Sequence, residues 1–342
     1  NGLLLNKKYL NKNGDTIKTI RNEYEMNHIK NSLSDYNSNS ITKIGFAVDM
    51  EIVPSKIQLV NISGNTLEGD IFYVKNKINY IESAKIENTS TTIKDFFQNN
   101  SVETKVMNSY YGSDVNTPIN LKNEKTIFSD ESTIETAYQY AYEKGNQKLI
   151  DANMVGIPLD TEVKKDGKTI SKAETKYDNP VNLLPSSVLS YNMQSNTPST
   201  EVTYDIYDGK RNLIQYTTKA GVSTSIIWGY NQTQPIAKIE GAKLSDITQT
   251  LINSIVNASD DTNANYSEST LLNQLDAFRI ALPNFQISTY TYKPLIGVTT
   301  ITPPSGIREY YFYDTANRLE SVKTNENGVL TTLKEYQYHY KP

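Results

Sequence analysis

The sequence predicts a mainly β protein, a succession of antiparallel hairpins with one helical hairpin inserted near residues 244–282. Short runs of Ile, Val, Thr, Phe and Tyr alternate with Gly, Asn and Asp turn signals at intervals of roughly ten residues, the spacing of a meander. Tyrosine dominates the aromatics, with 25 Tyr against 8 Phe and one Trp, and its apolar ring and wet tip suit sheets whose faces are half covered. Only two long stretches place apolar residues at the 3.6-residue period of a helix.

From the N-terminus, "NGLLLNKKYLNKNGDTIKTI" begins in mid-pattern without a charged and then apolar leader, so the chain reads as a mature fragment of something longer. "KIGFAVDMEIV" and "SKIQLVNISGNTLEGDIFYVKNKINYIESAKIEN" are strand-like, punctuated by Ser-Gly-Asn and Glu-Gly-Asp. A short helix is expected over Asn146 to Ala152. In "TEVKKDGKTISKAETKYD", Asp166-Gly167 separates two polar-alternating strands, and Asp-Gly suits a type I′ turn whose two central residues take positive φ. "KLSDITQTLINSIVNAS" spaces Ile247, Leu251, Ile252 and Ile255 helically, with Ser245 or Asp246 as N-cap. "SESTLLNQLDAFRIALPN" does the same with Leu271, Leu272, Leu275, Phe278 and Leu282, and Pro283 stops it. No apolar run approaches the ~18 residues of a membrane-spanning helix. Two regions are expected: a β-rich N-terminal part, 1–150, and a repeat region, 151–342.

The repeat is read by setting "YDIYDGKRNLIQYTTKAGVSTSIIWGYN", from Tyr204, beside "YYFYDTANRLESVKTNENGVLTTLKEYQYHY", from Tyr310. Both run aromatic-x-Tyr-Asp, turn, Leu, strand, Gly, then a strand ending in aromatics. A self-similar unit of roughly this length marks a repeat architecture, since so small a unit cannot bury its own apolar face. Tyr207-Asp208 and Leu213 align with Tyr313-Asp314 and Leu319. Asp314 is expected to end its strand by accepting the next backbone N–H groups, an Asx turn. Asn317 fills a left-handed slot that Asn tolerates. Arg318 and Leu319 open the return strand, Asn327-Gly328 makes the next reversal, and Tyr336, Tyr338 and Tyr340 line one face of the closing strand. "KYDNPVNLLPSSVLSYN", from Lys176, looks like a third, decayed copy, and "YLNKNGDTIKTIRNEYEMN", from Tyr9, a fourth.

These motifs resemble the YD repeats of RHS-like proteins. "IIWGYNQTQPIAKIEGA", "TYTYKPLIGVTTITPPSGIREYYFYD" and the terminal "KEYQYHYKP" resemble the RHS-repeat proteins common in Bacteroidota, flavobacteria especially, over about Ala152 to Pro342. Residues 1–150 resemble them only loosely. The resemblance implies a hairpin strip that winds into a spiral or shell, surface or extracellular placement by the type IX route, and a role as carrier of a toxin or other cargo. Its implied partners are other parts of the same long polypeptide and outer-membrane secretion or surface components. The family usually carries Gly where Asn317 and Arg211 stand. Arg is ill suited to positive φ, so the turn at Tyr207-Asp208-Gly209 is expected to shift, with Gly209 taking the positive φ. The Asp/Gly-rich self-cleavage segment of many RHS proteins has no counterpart here.

Composition and motif searches point away from chemistry. The formal charge of −4 and the lack of Lys/Arg blocks argue against nucleic acid, and the absence of cysteine removes disulfides and thiolate sites. There are two histidines. His28 lies three residues from Glu25, too few ligands for a metal site, and His339 alternates with Tyr338 and Tyr340. No G-x-S-x-G elbow supports a triad around "GSD" at Gly112 or "SSV" at Ser186, no phosphate loop is present, and Asp260-Asp261 lacks calcium-loop spacing. Asp15 and Asp314 open three-residue matches to a bacterial O-glycosylation signal, a pattern common by chance. Trp228 reads as core packing rather than a sugar platform. The expectation is a non-catalytic structural segment needing no cofactor; the alternative is an adhesin or glycan-binding module using exposed tyrosines.

Overall fold

The computed structural model describes residues 3–27, 43–60, 66–82, 85–97, 100–112, 118–261, 268–326 and 328–338. Among them are twenty strands, three α-helices and one 3-10 turn, so the protein is mainly β and its strands pair antiparallel. The chain divides into two compact units, 1–138 with 163–168, and 139–162 with 169–342.

In the first unit, β1 (Asn6–Leu10) pairs with β2 (Thr16–Asn27), which pairs with β5 (Lys85–Phe97). The ladder continues through β6 (Asn100–Tyr110), β7 (Leu121–Ile127) and β8 (Thr133–Gln139). Between β2 and β5 the chain makes a long hairpin, β3 (Lys43–Val60) with β4 (Thr66–Glu82), as a separate two-stranded sheet.

The second unit opens with α1 (Gln147–Asp151), where Asn146 caps the helix by accepting the Leu149 N–H. Leu149 packs with Ala141 and Leu159 in a small core. The hairpin of β9 (Asp160–Lys165) and β10 (Lys168–Lys176), whose tip 163–168 counts with the first unit, turns at Asp166 and Gly167, both at positive φ (49° and 78°) as a type I′ turn requires. A meander follows: β11 (Ser187–Tyr191), β12 (Pro198–Tyr207), β13 (Leu213–Thr218), β14 (Ser223–Gly229) and β15 (Gln234–Glu240). After the helices, β16 (Gln286–Lys293) returns beside β15, then come β17 (Gly297–Thr302), β18 (Glu309–Tyr313), β19 (Leu319–Glu326) and β20 (Val329–Glu335).

The helical insertion is α2 (Gln249–Asp260) and α3 (Glu268–Ala281). Ile255, Leu271, Leu275 and Phe278 are almost wholly buried against Ile227, Ile236, Ile239 and Ile287 of the sheet. At about 1.5–3 kcal/mol per buried side chain, this is the strongest apolar anchor of the unit. The helix start departs from the expected cap. Asp246 accepts the Lys243 N–H and closes the 3-10 turn Leu244–Asp246, whereas Thr248 stands at the N-cap of α2. Arg279 ties the far end of α3 to the sheet by donating to the Thr302 and Pro303 carbonyls. The closing strand also ends earlier than expected: Tyr336 and Tyr338 follow β20 instead of lying in it, and Tyr340 and Asn327 fall outside the described residues.

Candidate functional site: the aspartate-capped turns and their aromatic latches

Among the described residues five hairpin turns share one backbone design. At Asn11, Phe128, Asp208, Thr218 and Asp314, the residue's carbonyl accepts the N–H three positions on, and its own N–H donates to the carbonyl four positions on. The fourth residue is always left-handed: Gly14, Glu131, Arg211, Gly221 and Asn317, at φ 89°, 67°, 70°, 77° and 60°. This is a type I turn closed by a left-handed bulge residue, one of the common three-residue hairpin loops.

Three of the five carry a side-chain cap. Asp208 Oδ1 accepts the N–H groups of Lys210 (2.9 Å) and Asn212 (2.8 Å). Asp314 Oδ1 accepts those of Ala316 (2.8 Å) and Arg318 (2.9 Å). Asn11 Oδ1 accepts those of Asn13 (2.8 Å) and Asp15 (2.9 Å). Beside these capped turns the ladder slips by one residue, giving Tyr207↔Leu213, Tyr313↔Leu319 and Leu10↔Thr16 with a bulge immediately behind each pair. The turns at Phe128 and Thr218 lack a cap from their first residue, the Ser132 N–H of the former being taken by Asp130 Oδ1 (3.0 Å), and both run into regular ladders. In these five turns the bulge accompanies a cap from the turn's first residue. Arg318 also closes a salt bridge on Asp314 at 2.6 Å, and these bonds, that from the Arg318 side chain first, hold the Asp314 carboxyl below its ordinary value.

The Arg211 expectation is corrected. Arg211 itself takes the positive φ of 70°, and Gly209 does not. The two backbone bonds and the cap fix the turn from both sides, and they outweigh the cost of an L side chain in that region, about 1 kcal/mol. The segment from Lys176 does not repeat the turn. It opens into a loop around the Lys148 ammonium, which donates to the carbonyls of Tyr177 (2.8 Å), Asn179 (2.6 Å) and Asn182 (2.9 Å).

The aromatics of the motif act as latches. The Tyr207 hydroxyl donates to the Pro185 carbonyl at 2.8 Å, and the Tyr313 hydroxyl to the Val298 carbonyl at 2.9 Å. Each ties its turn to the hairpin before it. One strand further on, Trp228 Nε1 donates to the Leu213 carbonyl (3.0 Å) and the Tyr338 hydroxyl to the Leu319 carbonyl (2.8 Å), the carbonyls beside the bulges. Arg318 lies 4.4 Å from the Tyr338 ring centroid. Gly328, at φ 85°, donates its N–H to Asn325 in the final reversal. The exposed tyrosines among the described residues are Tyr142, Tyr336 and Tyr338. Tyr230, in the turn after β14, meets Tyr292 of β16 edge-on at 5.7 Å between ring centroids.

One titratable cluster escaped the sequence. Glu174, 4% exposed, accepts Lys144 (2.8 Å) and Lys176 (3.0 Å) on Oε1 and the Tyr191 hydroxyl (2.6 Å) on Oε2. Asp160 lies 3.5 Å from both Lys144 and Lys172. Burial alone would raise the Glu174 carboxyl, but the bonds from Lys144, Tyr191 and Lys176 outweigh it and hold the group at about 2. The hydrogen bond to Glu174 and burial push Tyr191 up to about 12. Both carboxylates are held by lysines, so the cluster braces β9, β10 and β11. Alternating lysines and acids in "TEVKKDGKTISKAETKYD" were its only trace in the sequence. Among the described residues no group of three or more His, Asp or Glu could hold a metal. His28, His339, Ser113 and Asp114 lie outside them. Ser186 Oγ accepts the Asp178 N–H, a loop contact.

No family model and no curated protein matches the chain. Among solved structures it is similar to the crystal structure of TcdB2-TccC3-Cdc42, at 10% identity and TM-score 0.35, over 97% of this chain and 15% of that one. It is also similar to the Photorhabdus luminescens Tc holotoxin pore carrying TccC3-D651A, at 9% identity and TM-score 0.29, over 95% and 20%. A porin-like protein from Bacteroides uniformis matches at 13% identity and TM-score 0.19, over 83% and 92%. The chain thus spans about a fifth or less of the length of the Tc structures. No helix of the described residues is long and apolar enough to cross a membrane.

Proposed function

We propose that this chain is a non-catalytic wall segment of a longer YD-repeat polypeptide, exported to the bacterial surface or beyond, where its hairpins form part of a β-shell able to carry cargo. One observation carries the reading: the Asp208 and Asp314 turns are built alike down to cap, left-handed residue, bulge, upstream tyrosine latch and downstream aromatic latch. A device that fixes hairpin geometry and then ties each hairpin to the next is what a wall needs, because each unit borrows its missing contacts from a neighbour. The Asp side chains are spent on turn N–H groups and stand at strand reversals. The lysine and tyrosine bonds that keep Glu174 ionised support a brace in place of a catalytic acid.

Cryo-electron microscopy of the full-length polypeptide tests this. The expected image is a strip in which these hairpins continue into flanking strands as one curved wall. A segment that stands apart as a detached domain would overturn the proposal, and so would substrate turnover by the purified chain that Glu174→Gln abolishes without unfolding it.

A further inference from the structure

Three consecutive residues, Tyr230, Asn231 and Gln232, have φ of 51°, 57° and 62°. Each non-glycine residue in this region costs about 1–2 kcal/mol, and a run of three persists only where the surroundings over-determine it. Here they do. The Thr233 N–H donates back to the Gly229 carbonyl (3.0 Å), Ser259 Oγ accepts the Tyr230 N–H (3.2 Å), and Asp260 Oδ1 accepts the Asn231 N–H (2.7 Å). From the other side Lys210 donates to the Asn231 carbonyl, and Asn212 Nδ2 to the Gln232 carbonyl at 2.9 Å. The loop is clamped between the Asp208 turn and the end of α2. Gly229 permits the approach, since a Cβ there would lie 2.2 Å from Ser259 Oγ.

A cleft of about 430 Å³ opens beside this loop. Its apolar lining includes Ile214, Trp228, Ile252 and Val256, and its polar lining Gln232, Gln249 and Asn253. Trp228 is half-buried with its Nε1 bound to Leu213, which fixes the indole plane. Gln249 Nε2 donates to Asn253 Oδ1 at 2.8 Å, which orients both amides. The charged groups that also line the cleft, Asp208, Lys210 and Asp260, are engaged with the turn and the loop. What faces a ligand is therefore a fixed indole and a set of uncharged amides. The lining mixes two carboxylates with one ammonium, each already bonded to backbone, so it offers no patch of a single sign to select a charged ligand. An apolar side chain would strip water from the amides without replacing their hydrogen bonds. A sugar ring satisfies both halves, because its C–H face packs on the indole while its hydroxyls donate to and accept from amides.

We propose that this cleft binds a neutral saccharide, with one pyranose ring stacked on Trp228 and its hydroxyls held by Gln232, Gln249 and Asn253. The strained loop places Gln232, the Leu213 carbonyl fixes Trp228, and the Gln249–Asn253 bond orients both amides before the ligand arrives, so little ordering cost is added on binding.

Trp228 is the chain's one tryptophan, so its fluorescence reports this site alone. The folded chain is titrated with methyl β-galactopyranoside, methyl α-glucopyranoside, N-acetylglucosamine, maltose and N-acetyllactosamine up to roughly 50 mM, because one stack and a few hydrogen bonds give about millimolar affinity. The expected result is a saturable change in Trp228 emission for at least one sugar, weakened about tenfold in Asn253→Ala and in Gln249→Ala. Both residues are exposed on α2, so the variants fold. No saturable change with any of these sugars, or an undiminished one in both variants, overturns the proposal. So does a response confined to a Leu-rich amphipathic peptide.

Discussion

The tyrosine that precedes the capping aspartate sits on a glycine of the neighbouring strand. A Cβ built on Gly297 would meet Tyr313 at 2.2 Å from the hydroxyl oxygen, 2.8 Å from Cζ and 3.2 Å from Cε1. Ala at 297 is not barred by its backbone, since Gly297 is not among the residues at positive φ. It is barred by a rigid ring whose hydroxyl is anchored 2.9 Å from the Val298 carbonyl. Contacts of 2.2 and 2.8 Å cannot be relieved by a few tenths of an ångström, so the ring must swing away and release its bond. Overpacking of this kind costs about 1–3 kcal/mol, within which the lost hydrogen bond accounts for about 1 kcal/mol. Tyr313→Phe alone should cost about 1 kcal/mol. The double variant should cost less than the sum of the two by about 1 kcal/mol, because both singles remove the same bond. Urea unfolding followed by far-ultraviolet circular dichroism, with hydrogen exchange on β17 and β18, measures all three. Strict additivity, or a harmless Gly297→Ala, would refute the latch.

Arg211→Gly should stabilise the chain by about 0.5 kcal/mol, the relief of a left-handed L residue partly offset by a looser unfolded chain. Gly209→Ala should be neutral or better, since Gly209 is not at positive φ and no atom lies within 4 Å of its would-be Cβ; thermal melts that reverse this order would count against the turn as described. Glu174 has its folded value held at about 2 against an ordinary 4.5. A depressed carboxyl stabilises fully above the unfolded value, and that stabilisation is lost as pH falls through the folded one. Melting of the wild type should therefore weaken from about pH 4.5 down to about 2, and Glu174→Gln should flatten that limb. Lys148→Met leaves the carbonyls of Tyr177, Asn179 and Asn182 without their ammonium, and limited proteolysis should cut within 177–186 about tenfold faster.

The residues legible in sequence were those whose structure is decided within five positions of themselves. Asp314 and Asn317 form their turn with their own neighbours, Asp166-Gly167 does likewise, and the helical spacing from Ile247 to Leu282 states its buried face directly. Such features need only local steric and hydrogen-bonding rules. Arg211 marks where that reading stops. Intrinsic preference placed the positive φ on Gly209, but the ladder on both sides of the loop placed it on Arg211. The latches from Tyr207 to Pro185 and Tyr313 to Val298 span 22 and 15 residues, and the Glu174 cluster joins Lys144 to Tyr191. No pattern of residue types announces such pairs, because they exist only once strand register brings the atoms together. The same holds for the left-handed run at Tyr230–Gln232, whose sequence is ordinary and whose conformation is imposed from outside by Lys210, Asn212, Ser259 and Asp260. Chain composition set the β class and the turn chemistry, which are short-range; packing chose the register, the strain and the partners of each tyrosine, which are long-range and cooperative.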